Sequence, residues 1–187
     1  IQNARGMEIM VRKKNGRLTG WISYVYSKTF VEVDSNNALE RINQGKAYPS
    51  NFDRPHSLNL VLNQHFNRRI SLSANYIYTT GRPVTLPEAA YYSEGEPLLH
   101  FSERNQYRLP DYIRLDVSVN IEGNLKRDNL AHSFWMVSIY NVLGRKNAYS
   151  VYYESVNGHI KGYKLSIFAR PIITVSWNYK FGNYLSD

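Results

Sequence analysis

Ile113-Arg114-Leu115-Asp116-Val117-Ser118-Val119-Asn120-Ile121-Glu122 places an aliphatic residue at every odd position and a polar or charged one at every even position. A period of two is the β-strand period, so one face of this segment is greasy and the other wet. The same dyad sets Leu58, Leu60 and Leu62 against Asn59, Val61 and Asn63, and Ile70, Leu72, Ala74 and Tyr76 against Ser71, Ser73 and Asn75. It returns in Ile173, Val175, Trp177, Tyr179 and Phe181, and more briefly in Met7, Ile9 and Val11. In Gly20 to Lys28, Ile22, Tyr24 and Tyr26 are assigned to the apolar face, with Trp21, Ser23 and Ser27 opposite. Both faces of Phe134 to Val142 are apolar, which leaves its register open.

A soluble sheet packed on a core gives the same alternation. Loop lengths separate the two cases. Asn15-Gly16 is expected to close the first two strands as a two-residue type I′ hairpin, Asn67-Arg68 another pair, and Asn124 to Ala131 a third. Between them lie Glu32 to Arg54, Pro83 to Pro110 and Gly144 to Gly162, read as long structureless loops. Long loops at every second connection all fall at one end of the sheet. Short turns at one rim and long loops at the other describe an outer-membrane β-barrel.

Aromatic residues make up 14% of the chain, including 16 Tyr, more than a soluble domain needs and in keeping with interfacial girdles. Strands leaving the short-turn rim carry Tyr24 and Tyr26, Tyr76 and Tyr78, and Tyr140 toward their far ends. Phe66, Trp177, Tyr179 and Phe181 fall on strands returning to it, so two bands are expected. A sandwich would place its aromatics mid-strand, in the core.

The net charge of +8 raises nucleic acid as a partner, but the distribution does not form a groove. Lys13, Lys14 and Arg17, Arg68 and Arg69, and Lys126 and Arg127 sit at the short turns, whereas Glu32, Asp34, Glu40, Asp53, Glu88, Glu94, Glu96 and Glu103 crowd two long loops. A basic rim suits an anionic leaflet, and ordinary solvated turns explain it equally well. No nucleic-acid motif is present, and nucleic acid is not expected as a partner.

Cysteine is absent, so there is no disulfide framework and no thiolate metal site. No apolar run of about 18 residues exists, which excludes a membrane helix but not a barrel, whose strands need only about 9 to 11 residues. The chain opens Ile1-Gln2-Asn3-Ala4-Arg5 with no initiator Met or signal pattern, and is expected to be a piece of something longer. An odd count of about seven strands points the same way, because single-chain bacterial barrels close with an even number.

No Gly-x-Ser-x-Gly elbow, P-loop or His-Glu-x-x-His is found. Asp116 and Glu122 lie on one strand roughly 20 Å apart, too far for joint acid-base work. The histidines at 56, 65, 100, 132 and 159 lack metal-ligand spacing, and His100, in a long loop, is the one to examine for iron or haem contact. No catalytic residue, metal or cofactor is expected. Candidates for ligand contact are Tyr91, Tyr92 and Phe101 with His100, aromatics for which a polar loop has no packing need unless it folds over something. Asp53-Arg54-Pro55-His56 enters a strand, with Pro55 suited to the strand start and Asp53 read as a loop brace.

Tyr48-Pro49-Ser50-Asn51-Phe52-Asp53-Arg54-Pro55-His56-Ser57-Leu58, Thr80-Gly81-Arg82-Pro83, Tyr140-Asn141-Val142-Leu143-Gly144-Arg145-Lys146-Asn147 and the terminal Val175 to Phe181 resemble, in order, the last strands of TonB-dependent outer-membrane receptors of the Bacteroidetes type. The resemblance implies an all-β transmembrane antiparallel barrel of 22 strands around an N-terminal plug. Residues 1–181 would be its C-terminal arc of about seven strands, and residues 182–187 a short periplasmic tail, a departure from barrels that stop at the terminal aromatic. Import of a scarce ligand (siderophore, cobalamin, glycan or peptide) would draw energy from TonB through an N-terminal segment outside this sequence. The plug, the remaining strands, outer-membrane lipid and, in addition, a surface lipoprotein are the implied partners. Leu115, Val117 and Val119 would contact lipid, and Asn59, Asn63, Arg114, Asp116 and Asn120 would face the lumen. Trp177, Tyr179 and Phe181 would form the barrel-assembly signal. Two other readings compete: a secreted β-sandwich binding a glycan or protein, and a small passive barrel.

Overall fold

The computed structural model describes residues 1–93, 96–123, 131–156 and 159–181. The expected turn at 124–130, with Lys126 and Arg127, Glu94, and the tail at 182–187 lie outside the described residues. The strands are β1 (Gln2–Lys13), β2 (Leu18–Val31), β3 (Tyr48–Pro49), β4 (His56–His65), β5 (Ile70–Thr79), β6 (Pro83–Val84), β7 (Pro87–Ser93), β8 (Glu96–Phe101), β9 (Tyr107–Arg108), β10 (Tyr112–Glu122), β11 (Ala131–Tyr140), β12 (Ser150–Val156), β13 (His159–Leu165) and β14 (Ile172–Phe181). The long strands run β1-β2-β4-β5-β10-β11-β14 as an antiparallel meander, with β3 added to β2. Among the described residues the sheet is open: β1 and β14 each pair on one side only and do not meet.

Register decides which side chains share a surface, because residues directly opposite one another point the same way. Val11, Ile22, Leu60, Tyr76 and Leu115 form one row across five strands. Leu62, Ala74, Val117, Ile139 and Ile173 form another. The opposite surface carries Thr19, Asn63, Ser73, Ser118, Ser138 and Thr174 in a row. Neighbours in that row bond directly: Ser73 Oγ donates to Asn63 Oδ1 at 2.7 Å, and the Ser138 and Thr174 hydroxyls lie 2.6 Å apart. β11, whose register the sequence left open, aligns Trp135, Val137 and Ile139 with the apolar rows.

Among the described residues nothing packs on the apolar surface. The buried apolar side chains among them are Tyr48 and Leu109 with the prolines Pro55 and Pro83, all in short strands or connections beside the meander and none on its long strands. Val11 and Val175 are 62% and 61% exposed, and Ile9 and Trp177 both 53%. A sheet folded around its own core buries this face.

Three features differ from the sequence reading. The β1–β2 reversal is wider than a type I′ turn: the last pair is Lys13 with Gly20, and of Asn15 and Gly16 only Gly16 has positive φ. None of the long connections is structureless: β3 pairs with β2 within Glu32 to Arg54, β7 with β8 and β12 with β13 form hairpins in the other two, and β6 with β9 closes the base of the β7–β8 hairpin. Tyr140 lies on the polar surface, beside Arg114, and so is not part of an outward aromatic band.

Gly20 is required where β2 passes β4. Its φ is +151° and a Cβ there would stand 2.1 Å from the Val61 carbonyl oxygen. Gly16, at φ +101°, has open space around it. Gly20→Ala is therefore expected to destabilise the full-length protein by about 2 kcal/mol or more in urea unfolding, and Gly16→Ala by only about 1 kcal/mol.

Candidate functional site

The long-loop end is held by buried polar side chains. Asp53, 2% exposed, pairs with the Arg108 guanidinium and accepts from the Thr29 amide at 2.7 Å. Arg108 Nη1 also donates to the carbonyls of Asp53 and Gly81, both at 3.1 Å. Asp53 is thus a brace, and its partner is Arg108, 55 residues away, not the adjacent Arg54. Gly81 fits because no side chain could: a Cβ would sit 1.6 Å from the Leu109 carbonyl oxygen. Asp111 fastens the same corner, accepting from the Gly81 amide at 2.9 Å and the Tyr78 hydroxyl at 2.8 Å. Pro55 precedes β4, and its carbonyl accepts from Ser27 N at 3.0 Å, so its lack of an N–H costs no ladder bond. Further out, the Tyr107 hydroxyl donates to Glu88 at 2.9 Å, which holds its pKa above the ordinary phenol value.

A second cluster forms where β10 meets β11. Arg114 lies 3.0 Å from Asp116 and donates to the hydroxyls of Tyr112 at 3.0 Å and Tyr140 at 2.7 Å, with its guanidinium over the Tyr140 ring. Asp116 also accepts from the Asn141 amide at 2.9 Å. Asn141 tolerates φ +53° and donates to the carbonyls of Arg145 at 3.2 Å and Phe168 at 3.0 Å. Asn147 then replaces a missing strand: its amide accepts from Ile113 N at 3.0 Å and donates to Ile113 O at 2.8 Å.

Between the two clusters opens a cleft of about 610 Å³, within the usual range for ligand pockets. Its wall includes Arg54, Arg82, Tyr112, Tyr140, Tyr149 and Phe168, and no carboxylate is among the lining residues. Arg82 reaches across it to the Tyr149 carbonyl at 3.3 Å. The cleft offers hydroxyl and guanidinium donors against aromatic faces, which is equipment for holding a ligand.

The residues expected from sequence are distributed differently. Tyr91, Tyr92, Phe101 and His100 lie on the β7–β8 hairpin, all exposed, and none lines the cleft. Asn59, Asn63, Arg114, Asp116 and Asn120 share the polar surface: Asn59 and Arg114 both stand opposite Ile77, and Asn120 faces Ser71 and Met136. Arg114 and Asp116 are committed to each other. Trp177, Tyr179 and Phe181 lie on the outer strand's apolar face, with Trp177 stacked on Trp135 at 5.2 Å between ring centroids. The cleft aromatics were missed because Tyr140 counted toward a girdle, and because Tyr149 and Phe168 lie in connections that alternation does not describe. Comparison with protein-family models, curated proteins and solved structures returns no match.

The Asp53 brace yields a clear contrast with the exposed Asp34–Arg41 pair, whose side chains are 59% and 40% exposed. Asp53→Ala strands Arg108 and is expected to cost about 3 kcal/mol locally, read as faster proteolysis of the Glu32 to Arg54 connection. Asp34→Ala is expected to cost about 1 kcal/mol or less in the same assay.

Proposed function

We propose that this chain is the C-terminal arc of the β-barrel of a TonB-dependent outer-membrane transporter. The observation that supports the reading is the unbroken apolar surface running through the seven-strand meander, uncovered by any other part of the described chain. In water such a surface would demand a core; in a bilayer it is the wall that lipid requires. Strands of 10 to 14 residues meet the length a barrel needs to cross. The bare edges of β1 and β14 would be costly in lipid, where unpaired backbone groups have no water to bond, so the remaining barrel strands pair with both.

In this arrangement the polar surface with Asn59, Asn63, Arg114, Asp116 and Asn120 faces the lumen and its plug. The hairpins β7–β8 and β12–β13 face outside, and the cleft bounded by Arg82, Tyr112, Tyr140 and Tyr149 lies at the outer mouth of the lumen. Ligand captured there would pass inward when TonB draws on the plug.

The first test is the size and location of the intact polypeptide, by denaturing gel and mass spectrometry with peptides mapped to this chain. A species several times 21.8 kDa in the outer-membrane fraction is expected. A soluble species of 21.8 kDa would sink the proposal in favour of a β-sandwich module, and the same mass in the membrane would indicate a small closed barrel. The two faces give a second test. Val117→Arg is expected to cost about 2–4 kcal/mol, seen as loss of the heat-sensitive folded band on an unheated gel, whereas Ser118→Arg leaves that band.

A further inference from the structure

The apolar surface ends toward the long loops in a pair of cations. Arg5 and Lys28 stand directly opposite each other on β1 and β2, one step beyond the Met7–Tyr26 pair and on the same face. Like charges in this position repel and destabilise a strand pair. Among the described residues no carboxylate lies within ion-pair distance of either. Lys28 Nζ leans over the Tyr26 ring, 6.0 Å from its centroid. Asn3, Phe30, Glu32 and Ala47 join the two cations around a hollow of about 300 Å³. Glu32, the residue after β2, lines the same hollow but forms no ion pair with either cation. Two like charges held side by side on one face, with no ion pair to either among the described residues, suit the binding of an anion.

We propose that Arg5 and Lys28 form a binding site for the phosphate of an anionic lipid headgroup in the leaflet on the long-loop side. A guanidinium binds phosphate oxygens in a bidentate fork and the lysine ammonium adds a point charge. Position selects a lipid over free phosphate. Immediately below the cations lie Met7, Ile9 and Val11 opposite Tyr26, Tyr24 and Ile22, a strip that takes acyl chains while the phosphate sits above. The Tyr24 hydroxyl and His56 Nδ1, 2.7 Å apart, supply a polar contact at the same border. Pairing of β1 with a preceding strand would leave Arg5 on the same face, because the pleat sets which way it points. The assignment rests on the membrane reading.

The experiment uses the full-length protein extracted from the outer membrane and placed in phosphatidylcholine nanodiscs. Retention of added bisphosphorylated lipid A is followed by native mass spectrometry. The double variant Arg5→Gln/Lys28→Gln is expected to bind roughly 30-fold more weakly than the parent, and the parent is expected to bind dephosphorylated lipid A no better than the variant binds the phosphorylated form. Lys28→Gln alone, checked for a heat-sensitive folded band, gives an intermediate loss. Millimolar inorganic phosphate is expected not to compete; competition would identify a free-anion site and overturn the headgroup assignment. Equal retention by parent and variant in protein recovered from the outer membrane removes the site and leaves the barrel standing. A polypeptide absent from the outer membrane removes both.

Discussion

Backbone pairing in lipid is the constraint on which the proposed architecture depends. Each strand has amides and carbonyls on both sides, and without water every one needs a neighbouring strand. Antiparallel pairing in an unslipped register then has a consequence for side chains. Because the pleat alternates, joining seven strands this way aligns Leu60, Tyr76 and Leu115 on one surface and Asn59, Ile77 and Arg114 on the other. A slip of one residue in any pair would mix the two. The division into an apolar and a polar face is thus a property of the register, held jointly by hydrogen bonds along each ladder.

Stability is distributed accordingly. A globular domain concentrates apolar burial in a core, but here the long strands bury almost none within the described chain. The buried groups are polar instead: Asp53, Asn105 and Asn141 at the loop end, and Ser23 and Thr79 on strands. Asn105 shows how they act, donating to Pro49 O and Asn51 Oδ1, both at 2.7 Å, and so joining two connections far apart in sequence. Such bonds are worth most where water is excluded, and each leaves an expensive orphan if cut. These bonds tie the connections together at the rim where the cleft lies.

Charge is placed by the same logic. Arg114 is paired with Asp116 and bonded to two tyrosines on the polar surface, and Arg108 is paired with Asp53 at the rim, whereas among the described residues Arg5 and Lys28 on the apolar side form no ion pair. On the proposed membrane reading, cations paired on the polar face and unpaired on the apolar face are what a boundary with anionic headgroups would select.

Alternation, with turn signals between the runs, located the seven long strands and assigned Leu115, Val117, Leu60 and Val175 to their face, because side-chain direction in a strand is a local property with period two; for Phe134 to Val142, apolar on both faces, it left the register open. Loop lengths likewise disclosed which rim carries the elaborate connections. Local pattern could not place Tyr140, whose even position only acquires meaning once β11 is aligned with β10, nor pair Asp53 with Arg108, since adjacency favoured Arg54. The hairpins inside the long connections escaped for a related reason: residues such as Tyr152 and Tyr163 form a pair through mutual stacking at 5.1 Å, a contact that exists only after the chain has turned back. The sequence by itself determined the strands and their two faces; tertiary structure decided the cleft and the Arg5–Lys28 juxtaposition, because both are made of residues brought together by pairing between distant segments.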